Sequence, residues 1–202
     1  MTLLSIIKSY KNGVISTEEL TSKIKNISQN NDVNYPLSEG QKGLWVIDKV
    51  NKGKTSEYNV PISFKISNEV QTDKLKLAAR LLLLEYPILN SVIREIEGKP
   101  IRKIKEDYSP YFVYEDISQL EEEAVLPYIR KYSKDPIPLN TDNLIRFYLL
   151  KRSNNEFIMT INVHHIVFDG SSIVTLLNSL FDKYIQLLSN SEEMIDVKRH
   201  TD

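Results

Sequence analysis

The chain has 202 residues, of which 26 are Lys or Arg, 27 are Asp or Glu and none is Cys, for a formal net charge of −1. Balanced charge gives no electrostatic case for nucleic acid as a partner, and the missing cysteines exclude disulfides, thiolate catalysis and cysteine-ligated zinc. The start lacks the basic and apolar regions of a secretory leader, and the greasiest run, Leu81-Leu82-Leu83-Leu84, is cut by Glu85 far short of a membrane span; the expectation is a soluble, cytoplasmic protein with neither membrane nor nucleic acid as partner.

Residues 3–11 carry Leu3, Leu4, Ile7 and Tyr10 in an amphipathic helix pattern that Asn12-Gly13 stops. A second helix opens at Ser16. Ser16 and Glu19 have capping-box spacing, and Ile15 and Leu20 sit where a hydrophobic staple needs them. Its stripe of Leu20, Ile24 and Ile27 is narrow. Two such helices bury little alone, so residues 1–30 are expected to form a short helical hairpin that packs on something else, either an upstream partner or the following fold. The polar stretch Gln29–Asn34 marks a boundary.

Residues 31–190 then read as one α/β (α+β) sandwich, a mixed β-sheet with flanking helices. A helix spans Ser38 to Val50 behind a Ser38/Gln41 cap, and a strand spans Asn59 to Ile66. The helix from Thr72 to Glu85 is apolar nearly all round and should be buried. A hairpin over 91–105 turns near Gly98-Lys99-Pro100, and a short strand follows at Tyr111–Tyr114. A helix from Ser118 to Tyr132 starts at a Ser118/Glu121 box and ends before Pro136. Leu144–Arg152 and Glu156–His164 form a hairpin across Ser153-Asn154-Asn155. Ser171–Leu188 is a helix with Ile173, Leu176, Leu177, Leu180, Tyr184 and Leu188 on one face. Residues 191–202 read as a polar, frayed tail.

Two of the three histidines stand together in Val163-His164-His165-Ile166-Val167-Phe168-Asp169-Gly170-Ser171. Imidazole is the side chain best suited to proton transfer near neutral pH. Strand alternation puts His165 on the face of Phe157, Met159, Ile161 and Val163, and His164 with Thr160 and Asn162 on the other. One histidine therefore enters a cavity and the other is structural. A two- or four-residue hairpin loop sets Arg146 opposite Val163, on the His165 face, where it can pair with Asp169; a three-residue loop reverses this. Plainer readings stay open on the residues alone: two satisfied core histidines, Asp169 as a helix N-cap, and Gly170 as a turn residue. Adjacent strand histidines diverge and no third ligand has suitable spacing, so no metal site is expected. There is no glycine-rich phosphate loop and no Gly-x-Ser-x-Gly elbow.

The spacing His-His-x-x-x-Asp-Gly, closing a strand and opening a helix, resembles the active-site motif of nonribosomal peptide synthetase condensation domains, which belong to the chloramphenicol-acetyltransferase-like superfamily. Tyr35-Pro36-Leu37-Ser38-Glu39-Gly40-Gln41-Lys42-Gly43-Leu44-Trp45 is similar to that family's first motif. Leu84–Ile93 occupies the second motif's place, and Asn143-Leu144-Ile145-Arg146 resembles the Pro-Leu-x-Arg strand before the histidines. The resemblance covers residue 35 to about 188 and implies one chloramphenicol-acetyltransferase-like half-domain, the N-terminal half of a condensation domain. The second half and its tunnel wall are then missing, and the fragment alone should be inactive.

The resemblance also implies roles. His165 faces the tunnel where a carrier-protein-bound acyl donor meets an amine acceptor and is the catalytic position for amide formation. His164 supports it, Asp169 orients the loop, and Gly170 lets substrate approach the backbone, its amide a donor to the carbonyl oxygen. No cofactor is bound directly; substrates come on the phosphopantetheine of upstream and downstream carrier proteins. The implied partners are these carriers, the C-terminal half of the domain, and an upstream synthase subunit through residues 1–30, whose Asn12–Glu19 segment is similar to helical starts of modular synthase subunits. The chain departs from the family where its second motif carries arginines, one of which pairs with the motif aspartate. Glu85 and Asn90 stand there instead, which makes Arg146 the expected partner of Asp169. The Leu89-Asn90-Ser91 version looks like domains of polyketide–peptide hybrid lines. The alternatives are a catalytically silent carrier-docking or gating module, an epimerisation-type relative and a free-standing acetyltransferase using coenzyme A. Donor, acceptor, stereochemistry and amide versus ester product stay open.

Overall fold

The computed structural model describes residues 3–12, 14–16, 19–20, 22–23, 34–140 and 143–199. Its middle layer is a four-stranded sheet in which β2 (Asn59–Ile66), β7 (Glu156–His164), β6 (Ile145–Ser153) and β5 (Tyr111–Asp116) lie side by side in that order. β5 runs parallel to β6 and the other pairs are antiparallel. β6 and β7 are buried along most of their length because both faces of the sheet are covered. On one face α3 (Thr72–Glu85) and α5 (Ile173–Arg199) close the main core, which includes Leu75, Leu82, Leu83, Phe147, Met159, Ile161 and Leu180. On the other, α4 (Glu122–Ser133) packs Val125 and Tyr132 with Tyr148, Leu150 and Ile158. This is the expected sandwich.

A second, three-stranded antiparallel sheet has the order β1 (Asn34–Pro36), β4 (Lys99–Ile104), β3 (Ser91–Ile96). A small core of Leu37, Ile93, Ile137, Leu139, Leu144 and Ile166 joins it to the chain around the histidines. α2 (Glu39–Val50) starts at the expected Ser38/Gln41 capping box and lays Leu44 and Trp45 on this small core, although no residue of α2 is fully buried.

At the N-terminus α1 (Leu3–Lys11) matches the expected helix, and the Ser16/Glu19 box forms with bonds of 3.1 and 3.2 Å. Ile24, Ile27 and the boundary stretch 29–33 lie outside the described residues. Ile6, Ile15 and Leu20 are buried in the main core. Of the second helix's stripe, Leu20 is thus covered by the chain's own fold, while Ile24 and Ile27 lie outside the described residues.

β2 and α3 span the residues that their periodicity indicates. Four expectations need correction. The β3–β4 turn is Glu97-Gly98, both at positive φ (51° and 76°), as a tight hairpin turn of this hand requires; Lys99 and Pro100 already belong to β4. The Ser118 box does not form. The Ser118 amide donates to Asp116 Oδ1 at 3.0 Å, and α4 starts at Glu122 behind Glu121, which makes no side-chain cap bond. The tail expected to fray over 191–202 is instead helical as far as Arg199, where α5 ends, and residues 200–202 lie outside the described residues. The fourth correction, to the β6–β7 register, decides where Arg146 goes.

The loop between β6 and β7 is the two residues Asn154-Asn155, but Lys151 pairs with Phe157 while Ser153 pairs with Glu156, so Arg152 is an extra, bulged residue. One inserted residue flips every position beyond it to the other face. Arg146 consequently lies opposite Asn162, not Val163. The bulge is held by long-range contacts: the Arg152 guanidinium donates to the carbonyls of Ile117 and Leu120 at 3.1 and 2.6 Å and pairs with Glu122.

Candidate active site

Both histidines leave the sheet still obeying strand alternation. The His164 amide donates to Leu144 O at 2.9 Å on the β6 side, and the His165 amide to Tyr58 O at 2.8 Å on the β2 side. A 3₁₀ turn, His165–Val167, begins there. The side chains separate as alternation requires: His164 is only 2% exposed, whereas His165 is exposed.

Their ring nitrogens are committed differently. His164 Nδ1 accepts the Ile166 amide at 3.0 Å and so carries no proton. Burial, reinforced by the neighbouring His165, pushes its pKa down to about 4, so the ring is neutral near pH 7. His165 Nδ1 lies 2.5 Å from Phe168 O. A carbonyl only accepts, so Nδ1 holds a proton, and the lone pair of the neutral ring is on Nε2. The accessible imidazole thus presents a base atom while the buried one is a structural acceptor. Phe168, which holds His165, also lines a groove with Tyr86, Ile88, Leu89 and Leu176.

The depressed His164 pKa has a consequence for stability. The unfolded chain binds this proton near pH 6.5 and the folded chain only near pH 4. The stability that a neutral His164 preserves is complete above about pH 6.5 and is lost as pH falls towards 4, to roughly 3 kcal/mol. Urea denaturation at pH 7.5 and 4.5 should show this loss, and His164→Asn should flatten that part of the profile; an equally steep profile in His164→Asn would show that other groups cause it.

Asp169 caps the following turn. Its Oδ1 accepts the Ser171 hydroxyl at 2.7 Å, the Ser172 hydroxyl at 2.8 Å and the Ser172 amide at 3.0 Å. These bonds, Ser171 first, hold its carboxyl below the usual range. The expected Arg146–Asp169 pair is not formed. The Arg146 guanidinium lies on the opposite side of the sheet, with Nη1 2.5 Å from Asp135 Oδ2 and its charge over the Tyr111 ring at 4.9 Å. Arg146 thus ties β6 to the segment after α4, and Asp169 is held by hydrogen bonds from Ser171 and Ser172 instead of by a cation. The departures at the second motif are structural as well. Glu85 accepts from Ser179 and Lys183 on α5, and buried Asn90 donates to the carbonyls of Lys105 and Asp107.

Gly170 has no backbone requirement for glycine: its φ is not positive, and an added Cβ would meet nothing within 4 Å. The turn-residue reading therefore has no support, and its open side is free for close approach.

Several supporting residues are not evident from the motif. Asn162 Nδ2 donates to Tyr132 O at 2.9 Å, and Asn59 Nδ2 to the carbonyls of Ser133 and Asp135 at 3.2 and 2.9 Å. Together they pin the histidine end of the sheet to carbonyls at the end of α4 and just beyond it. A lone asparagine in the apolar run Phe157–Val163 is the one sequence signal for this. Among the described residues no group of three or more His, Asp or Glu side chains is arranged to hold a metal ion, and no helix is long and apolar enough to cross a membrane.

The family model described as "Condensation domain" matches residues 31–199. Polyketide synthase PksN of Bacillus subtilis (strain 168) is 40% identical over 159 residues, 79% of this chain and 3% of that protein. Bacitracin synthase 2 of Bacillus licheniformis is 31% identical over 144 residues, 71% of this chain and 5% of that protein. Among solved structures, the starter condensation domain of rhizomide synthetase RzmA superposes with a TM-score of 0.72 at 18% identity, over 78% of this chain and 40% of that one. The first condensation domain of the calcium-dependent antibiotic synthetase, in complex with a substrate analogue, gives 0.70 at 22% identity, over 79% and 41%. The chain thus spans a few per cent of these large synthases and about two fifths of these solved condensation-domain chains. With the family model matched along residues 31–199 and the histidine turn built as described, the chain belongs to the condensation-domain family.

Proposed function

We propose that this chain is the N-terminal half of a condensation domain that joins a carrier-bound acyl donor to an amine acceptor in a nonribosomal peptide or hybrid polyketide–peptide line. The observation that carries the proposal is the exposed His165 imidazole whose Nδ1 proton is held by Phe168 O, leaving Nε2 as the proton acceptor. The acceptor amine attacks the thioester carbonyl, a C–N bond forms and the C–S bond breaks. Nε2 takes the proton released by the amine and returns it to the departing thiolate. The Gly170 amide is the proposed donor to the carbonyl oxygen as charge develops there. His164 and Asp169 hold the turn, and Arg146 acts only through the sheet. Substrates come on the phosphopantetheine of carrier proteins, no cofactor is bound by the chain itself, and the setting is the cytoplasm.

The 40% identity to a polyketide synthase favours a hybrid line. The silent gating-module alternative starts from the missing second-motif arginines; the serine bonds that hold Asp169 in place support the catalytic reading over it. Acyl- and aminoacyl-loaded carrier proteins, mixed with the intact synthase and followed by mass spectrometry of the carrier arms, test the proposal. Amide on the acceptor carrier is the expected result, absent when this chain is supplied alone; turnover by this chain alone would remove the requirement for a second half.

Gly170→Ala separates fold from function. At a site with open space and ordinary φ, alanine should raise stability by about 0.4–1 kcal/mol, while its methyl obstructs substrate and lowers turnover. Unchanged turnover in this variant would remove Gly170 from the site.

A further inference from the structure

We infer that Gln41 is a positioning residue for His165, tying the start of α2 to the turn that carries the imidazole. The inference rests on the proposed function for its catalytic meaning and on geometry for its structural content. Gln41 is the third residue of α2, and its amide donates to Ser38 Oγ at 3.3 Å. Its carboxamide oxygen accepts the Ser38 amide at 3.1 Å. With that oxygen occupied, the NH₂ end points away from the cap and donates to Ile166 O at 2.8 Å, 125 residues along the chain.

Ile166 is the middle residue of the His165–Val167 turn. Its own amide is held by His164 Nδ1 at 3.0 Å, so two successive peptide units of the turn are fixed from opposite sides, one by His164 and one by Gln41. The turn in turn sets the distance between His165 Nδ1 and Phe168 O, and with it the tautomer and direction of the ring. α2 is well placed to transmit position because Ile166 also shares its small core with Leu44 and Trp45 of the same helix. A capping box needs only an oxygen acceptor at this position, which Glu also supplies; the NH₂ donor is what distinguishes Gln here.

Gln41→Glu therefore keeps the cap bond and replaces the tie with a carboxylate oxygen that repels the Ile166 carbonyl. Ser38→Ala does the reverse. The experiment measures the ¹⁵N shifts of the His165 ring in the 202-residue chain, together with the melting temperature, and steady-state kinetics in the intact synthase. Wild type should show the Nδ1–H tautomer. Gln41→Glu should shift the ring towards a mixture of tautomers and lower kcat roughly 10- to 100-fold at unchanged KM. Ser38→Ala should lower the melting temperature and leave the ring signals in place. Should Gln41→Glu fail to fold, Gln41→Met, which removes both the tie and the cap acceptor without adding charge, is read against Ser38→Ala: ring signals that move in Gln41→Met and not in Ser38→Ala support the tie, and ring signals unmoved in Gln41→Met overturn it.

Ring shifts in the Gln41 variant identical to wild type would overturn the inference. So would Ser38→Ala moving the ring as far as the Gln41 change, since the effect would then be general loosening. A His165→Ala synthase that keeps its activity would remove the proposed function yet leave the ring-shift test of the tie intact.

Discussion

His165→Ala in the intact synthase is expected to lower amide formation by roughly 10²- to 10⁴-fold, the usual range for a positioned general base. The loss should fall on kcat, because the imidazole is exposed at the end of β7 and its removal leaves the core untouched. The fold should survive: the His165 backbone bond to Tyr58 O does not depend on the side chain. Carrier-loaded substrates and single-turnover mass spectrometry give the rate, and denaturation of the same variant gives stability. His164→Ala should behave in the opposite way, losing stability first, because it leaves the Ile166 amide without its buried acceptor. If alanine at 165 leaves the single-turnover rate within a few-fold of wild type, proton transfer by His165 is not the chemistry of this site.

The second large effect lies at Leu20, before the first residue matched by the family model. Leu20 is 0% exposed and sits in the same core as Leu82, Met159 and Leu180. Leu20→Ala should cost about 2–5 kcal/mol, the range for a fully buried leucine replaced by alanine. Against a typical total of roughly 5–15 kcal/mol this is a large share, and urea denaturation would read it directly. A cost below 1 kcal/mol would mean that the N-terminal segment is only loosely applied to the core, and an apolar docking stripe would again be available. Docking of an upstream subunit by residues 1–30 would fall to exposed positions such as Lys8; Lys8→Glu, which leaves the buried Leu20 in place, followed by co-purification with a candidate upstream subunit, separates docking from packing.

Most of the architecture is legible in the amino-acid pattern because its signals are local. The apolar circumference of Thr72–Glu85 demands burial, and α3 is buried where the pattern places it. Ser38/Gln41 and Ser16/Glu19 are caps whose bonds close within four residues, and both form. The Ser118 box has the same spacing but fails, because Asp116 takes the Ser118 amide and Arg152, from a distant strand, takes the carbonyls around it. Spacing identifies a possible cap, and competing partners decide whether it is used.

The histidine site divides along the same line. Strand alternation alone puts His164 and His165 on opposite faces, since it follows from backbone geometry; that His165 is the exposed one is a result of the folded structure. The motif spacing, too, is a property of the chain. The partners are not. Whether Arg146 shares a face with His165 turns on a single bulged residue, Arg152, which no local preference reveals and which exists because its guanidinium finds acceptors near α4. The tie from Gln41 to Ile166 O joins residues 125 apart. The sequence by itself determined that the two imidazoles leave the strand on opposite faces and that Asp169 can cap the helix after it, because residue type, strand period and cap spacing are local; only the tertiary structure decided that Arg146 belongs to the other face and that Gln41 reaches Ile166 O, because those outcomes depend on register and on packing between distant segments.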